Sequence, residues 1–450
     1  MSSEGRVLFD SLFTTERLRA AASDQARLQG MLDFEGALAR ATAGAGIAPS
    51  SAAASIAAHC RAQLYDPAAL GASAALAGNA AIPLVRALTE RVAAVDALAA
   101  RWVHHGATSQ DAVDTGMVLQ LRAALDALDD DLGRLVGALA RLARAHRATP
   151  MAGRTWLQQA EPTTLGLKVA GWLDALDRHR ARLGELRGRA LVVQLGGPVG
   201  NLAALGDRGP RVVELLAQHL ALGIPALPWH AHRDRLAEAG AVLGLLAGTL
   251  GKVARDVALL MQTEVGEAFE PDAPGRGGSS SMPQKRNPLS AAVAGAAALR
   301  VPALVATLLG AMVQEHERGL GGGQAEWETL PQIWMLTGGA LAQMASVAEG
   351  LEVDAGRMAD NLACASGAVQ AGALAAALAP RMGREAAHGL LERAARRARD
   401  ARRPLRDELK DEPSLRSHLA PGELEELFDT NRSVAASAAM VDRLLERRGG

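Results

Sequence analysis

The residues of this chain that most clearly suggest chemistry lie in a polar stretch between two apolar segments, "GGSSSMPQKRNP" at 277–288. Its glycines allow motion, Lys285 and Arg286 supply positive charge, and Asn287 supplies an amide that both donates and accepts hydrogen bonds. A flexible linker is the alternative, but a linker does not usually continue through Met-Pro and two cations into an apolar helix. The stretch indicates a loop that closes over a small polyanion and takes part in the chemistry.

A second polar stretch, "HHGATSQDAVDTG" at 104–116, combines helix-capping residues with groups that bind anions. Thr108 or Ser109 can cap a helix that begins near Gln110. The free N–H groups of that helix, with Thr108, Ser109 and His104, can receive a carboxylate. A capping motif without a further role is the alternative.

A third stretch, "GRTWLQQAEPTTLG" at 153–166, places Arg154, Thr155 and Gln158 before a long apolar helix with a proline near its start. These polar side chains suit an anion site. A buried helix entry, in which the same groups satisfy one another, is an equally good interpretation.

A fourth stretch, "PWHAHRDRLAE" at 228–238, holds the cationic or ionisable residues His230, His232, Arg233 and Arg235. They are sufficient for anion recognition. The alternative is that the arginines pair with nearby acids or with a neighbouring helix. A metal site is disfavoured, because the histidines have no clear third ligand.

Apolar residues at helical spacing recur along most of the chain. Between 132 and 142, leucine and valine side chains fall on one face at i, i+3, i+4 and i+7. The same pattern predicts helices over 27–43, 113–128, 165–186, 235–262, 331–349 and 434–447. We find no alternating strand of useful length and no internal repeat, so the pattern predicts an all-α fold.

Glycine and proline divide the chain into three predicted helical domains, 1–103, 104–350 and 351–450. The middle segment holds the longest apolar helices and all four polar stretches. Such helices leave more apolar surface than one bundle can bury, which predicts a homo-oligomer formed through them.

Composition argues against several classes of protein. The net charge is −1 and the pI about 6.9, so nothing indicates a general nucleic-acid surface. Cys60 and Cys364 are too few for a disulfide framework and lack metal-ligand spacing, and the N-terminus has no apolar signal segment. We therefore expect a cytoplasmic protein without a metal or cofactor. The most membrane-like stretch, 287–314, is divided by Arg300 and Pro302, which favours a buried helix over a membrane span.

The arginine-rich segment 381–403 could suggest RNA binding. However, Glu385, Glu392 and Asp400 are interspersed, and the segment offers no aromatic residue for base stacking. A solvated helix face is the favoured interpretation.

Three of the polar stretches together resemble the fumarase/aspartase superfamily, which also contains argininosuccinate and adenylosuccinate lyases. "GSSSMPQKRNP" is similar to its signature loop, and "HHGATSQDAVDTG" and "GRTWLQQAEPTTLG" are similar to its two other active-site regions, in the expected order. The resemblance implies a three-domain all-α fold with a long central helical bundle. It also implies a homotetramer whose active sites each draw residues from three subunits.

The resemblance implies roles for individual residues as well. Ser279, six residues before the loop lysine, matches the usual carbon base of these enzymes, with Lys285 as the rival for the proton transfer. Lys285 and Asn287 match residues that bind a carboxylate and stabilise its extra charge. The expected substrate-binding residues are His104, Thr108, Ser109, Thr155, Trp156, Gln158, Arg233, Asn287 and Arg318.

One departure separates this chain from most lyases of the superfamily. Where they have histidine after the threonine of the second region, this chain has Trp156, whose indole N–H donates a hydrogen bond but does not titrate. A reaction that expels an amine or purine would lose its acid–base helper, whereas addition of an internal carboxylate needs no such proton.

This departure, with "QLGGPVGNLAAL", "PWHAHRDRLAE" and "QEHERGLGGGQAEW", resembles the superfamily branch that cyclises carboxymuconates. The resemblance implies that a tricarboxylate, 3-carboxy-cis,cis-muconate, is converted to 4-carboxymuconolactone during aromatic degradation through protocatechuate. The alternatives are another lyase of the superfamily, such as an adenylosuccinate lyase, and a non-catalytic structural relative.

Overall fold

The structure, a computed structural model, describes residues 7–278, 281–282, 284–364, 367–415, 417–420 and 422–449. Most of these residues are helical, as the apolar spacing predicts. Each of the six predicted segments lies within an observed α-helix, apart from residue 262, which follows the end of its helix at Met261, because the apolar residues at helical spacing are the ones that the helices bury.

The helices before the first long apolar helix of the central segment are α1 (Val7–Phe13), α2 (Glu16–Ala22), α3 (Asp24–Gly44), α4 (Ser50–His59), α5 (Pro67–Ala77) and α6 (Ala81–Ala93). The helices of the central segment are α7 (Ser109–Ala145), α8 (Leu165–Ala190), α9 (Gly209–Leu220), α10 (Asp234–Met261), α11 (Leu289–Ala311) and α12 (Gly322–Gly350). The remaining helices are α13 (Ala355–Cys364), α14 (Ala371–Met382), α15 (Arg384–Ala401), α16 (Leu405–Lys410), α17 (Glu423–Phe428) and α18 (Asn431–Gly449).

A β-hairpin interrupts the helical pattern and corrects the expectation that the chain has no useful strand. The strands are β1 (Pro150–Thr155), β2 (Gln158–Thr164), β3 (Ala268–Phe269) and β4 (Glu352–Val353), paired antiparallel as β1 with β2 and β3 with β4. The turn between β1 and β2 is Trp156–Leu157, with φ of 53° and 63°, where Asn-Gly is the usual sequence. That expectation was wrong because the turn lacks a turn signal and a register shift between Ala152 and Arg154 breaks the alternation.

The contacts within the chain define two compact units, each built from separated segments. The first comprises 1–133, 178–252 and 293–343, and the second comprises 134–177, 253–292 and 344–450. The core of the first unit includes the buried Phe34, Leu88 and Leu216, from α3, α6 and α9. The core of the second includes Leu378 of α14 and Leu405 of α16. The three successive domains stay a prediction, because these units follow other boundaries.

Within the first unit, α10 and α11 pack through small residues. A Cβ added to Gly240 would lie 2.4 Å from Leu308 Cδ1, and one added to Gly251 would lie 2.4 Å from Ala298 Cβ. Both separations are well inside van der Waals contact. Alanine at Gly251 would meet the Cβ of Ala298, which cannot rotate away, and would push the two helices apart, whereas alanine at Gly240 would require the end of the Leu308 side chain to move.

Among the described helices, α10 and α11 are long and apolar enough to cross a membrane by length and composition alone. Helices in protein cores meet the same criteria, so this is a weak indication. Of the most apolar window in each, 56% is buried in α10 and 28% in α11. Leu299 and Leu309 of α11 are 81% and 51% exposed. Within one chain, α11 is therefore less buried than the sequence analysis predicted.

The arginine-rich segment supports the interpretation as a solvated helix face. Arg397 of α15 lies 2.8 Å from Glu412, and Arg403 lies 3.0 Å from Glu408. These pairs between exposed arginines and more buried acids neutralise part of the positive charge that an RNA surface would need.

Candidate active site

The carboxylate of Asp111 holds the first polar stretch in place at the N-terminus of α7. Its Oδ2 accepts hydrogen bonds from the backbone N–H groups of Thr108 (2.9 Å) and Gly197 (3.0 Å). Its Oδ1 accepts from Gly196 N–H (3.0 Å) and lies 2.6 Å from His230 Nε2. Asp111 is fully buried, and the four contacts satisfy its charge while joining three segments of the chain.

Because Asp111 binds the backbone N–H of Thr108, the hydroxyl of Thr108 is available for a different contact. Arg318 Nη2 donates to Thr108 Oγ1 and to the carbonyl of Pro198, both at 3.1 Å. The structure thus brings together two residues that were predicted to bind substrate, with the guanidinium exposed. Ser109 is the first residue of α7, so the helix begins one residue before the predicted start at Gln110.

His104 combines a strained backbone with a buried ion pair. Its φ of 58° lies in the left-handed region, which is uncommon for histidine. Nδ1 lies 2.6 Å from Oε1 of Glu35, and the side chains are 18% and 1% exposed. Burial lowers the pKa of His104, but the charge and hydrogen bond of Glu35 and the charge of Asp111 outweigh it and raise that pKa. His104 therefore keeps its positive charge to higher pH than an ordinary histidine.

Arg233 is buried between two carboxylates, which does not favour the predicted contact with substrate. Nε donates to Glu326, Nη1 to Asp114 (2.7 Å) and the carbonyl of His230, and Nη2 to Asp114 (2.9 Å) and Glu326. All five N–H donors are occupied. Burial lowers the pKa of Arg233, but the two carboxylates raise it overall. The structure supports the alternative that the sequence left open, pairing with neighbouring helices.

The second predicted region forms the tip of the β1–β2 hairpin in the second unit. Thr155 and Gln158 are paired at the two sides of the turn. Trp156 and Leu157 project from it, 95% and 75% exposed. The structure therefore brings the three predicted residues of this region together, on a hairpin rather than on the helix entry that the sequence suggested.

Near its tip, this hairpin is held by an acid that the sequence analysis did not single out. Glu267 is fully buried and accepts from Arg154 Nη1 (2.8 Å) and Nη2 (2.6 Å) and from Asn361 Nδ2 (2.9 Å). A surface cavity of about 440 Å³ adjoins the hairpin tip. Its lining includes Arg154, Trp156, Leu157, Lys168, Asp256 and Gln262.

The signature loop is closed by its own backbone. Ser279, the predicted carbon base, lies outside the described residues. Asn287 N–H donates to the Gly277 carbonyl at 2.9 Å, and its Nδ2 donates to the Gly278 carbonyl at 3.3 Å. Lys285 is exposed. The structure thus places Lys285 and Asn287 on one loop and leaves the ammonium group of Lys285 accessible to a ligand.

Two further contacts fix the end of this loop. Arg286 binds the carboxylate of Glu352 (2.9 Å) and the carbonyl of Glu270 (2.6 Å). The Glu270 carboxylate accepts from the N–H groups of Ser290 (3.0 Å) and Ala291 (2.8 Å), capping α11. Arg286 and Glu270 are therefore structural, in contrast to Lys285.

Comparison with known sequences agrees with the motifs. The sequence profile of a family described as lyase matches residues 12–303, and a profile of the adenylosuccinate lyase C-terminus matches residues 367–444. The chain belongs to the lyase family of the fumarase/aspartase superfamily. This membership confirms the resemblance that the signature loop and the two other regions indicate.

Several relatives that are more than half identical to this chain carry the same name. The chain is 57% identical over 438 residues to the 3-carboxy-cis,cis-muconate cycloisomerase of Pseudomonas aeruginosa, covering 97% of this chain and 95% of that protein. It is 56% identical to the protein of the same name from Pseudomonas putida, covering 93% and 99%. A crystal structure of the 3-carboxy-cis,cis-muconate lactonizing enzyme from Pseudomonas putida has a TM-score of 0.91 at 54% identity and covers 98% of both chains.

Proposed function

We propose that this lyase-family chain is an isomerase that converts 3-carboxy-cis,cis-muconate to 4-carboxymuconolactone in protocatechuate degradation, the β-ketoadipate pathway. The observation that carries the proposal is Trp156, a residue without an ionisable proton at the position where most superfamily lyases have histidine. The high identity to proteins named for this reaction supports it.

The reaction joins an oxygen of one substrate carboxylate to a carbon of a conjugated double bond. The π electrons move onto the neighbouring carboxylate, which becomes a dianionic aci-carboxylate, and a proton is then delivered to its α-carbon. No group is expelled, so no proton is needed for a departing amine or purine. The main demand on the protein is to stabilise charge that grows in the transition state.

The exposed cation of the signature loop suits this demand. Lys285 offers a mobile ammonium group, and Asn287 is held in place by its two hydrogen bonds to the glycines of the loop. We assign to these two residues the stabilisation of the aci-carboxylate. Ser279 is the proton donor in the lactonising direction and Lys285 is its rival, by reversal of the superfamily's proton abstraction.

The other two carboxylates of the substrate need cations and hydrogen-bond donors of their own. In the first unit, Arg318 and Thr108 are in contact with each other, and His104 is held positively charged by Glu35. Ser109 adds the first residue of α7, whose N-terminus favours an anion. Thr155, Gln158 and Trp156 offer further polar groups at the tip of the hairpin.

A homotetramer with shared active sites is part of the proposal. The apolar side chains exposed on one chain support it, above all Trp156 and Leu157 at the hairpin tip and Leu299 and Leu309 of α11. Association would bury them, as in the superfamily, where three subunits contribute to each site. A cytoplasmic location is proposed with it, since the proposed substrate is a soluble tricarboxylate intermediate of a degradation pathway.

The assignment is tested by offering the purified enzyme 3-carboxy-cis,cis-muconate and adenylosuccinate separately and following ultraviolet absorbance. We expect turnover of the first, with the lactone identified by NMR in deuterated water, which also reads the stereochemistry of proton delivery. Turnover of adenylosuccinate alone would overturn the proposal in favour of the lyase whose C-terminal profile matches residues 367–444. Turnover of neither would indicate a non-catalytic relative.

A further inference from the structure

Glu35 is a buried acid whose neighbours on the inner face of its helix are apolar. It lies in α3, where Phe34, Leu38 and Ala37 are buried in the core of the first unit. Its own side chain is 1% exposed. Oε1 contacts His104 Nδ1 at 2.6 Å, and no donor among the described residues reaches Oε2.

A carboxylate in such surroundings needs a positive charge nearby. Removing an ion from water is costly, and the cost is offset only by a close counter-ion or by several hydrogen bonds. In the described part of the chain, His104 is the sole hydrogen-bond partner of the Glu35 side chain. The ion pair therefore favours the imidazolium form of His104, with Nδ1–H donated to Glu35.

The pairing also decides which nitrogen of His104 is left for a ligand. Nδ1 is occupied by Glu35, and no described residue hydrogen bonds to Nε2. The backbone at His104 is held in the left-handed region, with φ of 58°, a strain that a side chain without a task would not require. Four residues later in the chain, Thr108 is fixed by Asp111 and contacts Arg318.

We infer that Glu35 is a positioning residue, which holds His104 as an imidazolium with Nε2–H directed to a carboxylate of the substrate. The inference rests on the proposed function, because it needs an anionic substrate at the Thr108 cluster. It assigns to a buried acid of α3 a share in binding that none of the active-site motifs contains.

The other titratable groups near His104 and Glu35 do not replace Glu35 in holding the charge of His104. Asp111 of α7 is near enough for its charge to favour the imidazolium too, but its oxygens are already bound by four other donors. Cys60, which follows α4, lies close to Glu35. Burial, with the charge of Glu35, raises the pKa of the Cys60 thiol to about 12, while the more distant Arg40 and Asp33 act on it with opposite signs. Cys60 thus stays neutral and does not compete for the charge of His104.

The first test is kinetic and uses Glu35→Gln, which keeps the shape of the side chain and removes its charge. We expect KM for 3-carboxy-cis,cis-muconate at pH 7.5 to rise about tenfold or more, the loss of one charge-assisted hydrogen bond, with a smaller change in kcat. As the pH is lowered toward 5.5, His104 regains its proton and KM should recover. A merely structural defect would raise KM by the same factor at every pH.

Two variants control this experiment. His104→Gln should raise KM without recovery at low pH, and adding Glu35→Gln to it should cause no further loss. Glu90→Gln, at an exposed position of α6, should match the wild type at every pH. If Glu35→Gln fails to fold, Glu35→Asp keeps the charge at a shorter reach, and its KM should lie between the wild type and His104→Gln.

A second measurement does not use the substrate. Histidine labelled with ¹³C at Cε1 reports the titration of His104 by NMR, assigned by its absence in His104→Gln. In Glu35→Gln its midpoint should move to lower pH. An unchanged midpoint would overturn the inference, even where the enzyme turns over carboxymuconate. A lowered midpoint in a protein that does not turn over carboxymuconate would uphold the ion pair and reject the proposed substrate instead.

Discussion

Lys285 differs from its neighbours in the signature loop in having no structural task. Arg286 is held by Glu352 and by the carbonyl of Glu270, and Asn287 is bound to the glycines at the start of the loop. Lys285 is exposed between these anchors. At the scale of the residue, the side chain of Lys285 is therefore available to bind the proposed substrate rather than to hold the fold.

Replacement of Lys285 by alanine should lower kcat/KM for carboxymuconate by about 10³-fold, because one of the groups that stabilise the growing charge is lost. The free energy of unfolding and the sedimentation coefficient should stay at wild-type values. Lys410→Ala, which removes an exposed lysine near Glu425, is the matched control and should keep normal kinetics. Near-normal turnover by Lys285→Ala would mean that the loop is not catalytic.

The sequence offers candidate site residues where polar side chains stand together, as at Thr108 and Lys285, whereas Arg318 lies outside the four polar stretches and was expected from the resemblance alone. The acids that hold these stretches were harder to predict. Glu35 and Glu326 lie far along the chain from their partners, and spacing alone does not say which cation each one meets. For Glu35, an acid between apolar residues of one helix face was the available signal.

At the scale of elements, the N-terminus of α7 and the loop at 196–200 are joined by a single carboxylate. Asp111 binds Thr108 N–H on one side and the N–H groups of Gly196 and Gly197 on the other. The two acceptors of Arg318, Thr108 Oγ1 and the Pro198 carbonyl, lie on the same two elements. Their separation, and with it the position of Arg318, depends on Asp111.

Asp111→Asn should destabilise the protein by about 3 kcal/mol, because an NH₂ group then faces backbone N–H donors that need an acceptor. KM should rise together with this loss, since Arg318 loses its fixed pair of acceptors. Denaturant unfolding and steady-state kinetics measure the two effects. Asp129→Asn, an exposed position on the same helix, should change neither, and equal behaviour of the two variants would contradict the role of Asp111.

The helices themselves were predictable because burial follows the same 3.6-residue period that the sequence shows. The β1–β2 hairpin was not. Trp156 and Leu157 occupy left-handed positions that glycine or asparagine normally fill. The residue types at these positions therefore do not predict a turn. The hairpin is held close to this turn by a contact distant in sequence, because Glu267 binds both Arg154 and Asn361.

At the scale of the whole molecule, one chain leaves apolar side chains exposed that a second copy can cover. Leu299 of α11 is 81% exposed, and only 28% of the most apolar window of that helix is buried within the chain. Association of α11 with another copy accounts for both observations with one surface.

Leu299→Glu should therefore shift the protein to a smaller assembly in sedimentation velocity, because a charge would be placed in an apolar interface. Turnover should fall with the loss of shared sites. Leu299→Met keeps the apolar surface and is expected to sediment like the wild type. An unchanged sedimentation coefficient for Leu299→Glu would show that this face of α11 is not an interface.

The five occupied donors of Arg233 have a consequence for how the first unit assembles. Asp114 and Glu326 lie 119 and 93 residues away along the chain, so the full set of contacts forms only when three distant segments have met. If only two of these segments have met, a charged group is removed from water without its full set of partners. These ion pairs are therefore most stable when all three residues are in place. We expect this part of the protein to form late in folding and to open cooperatively.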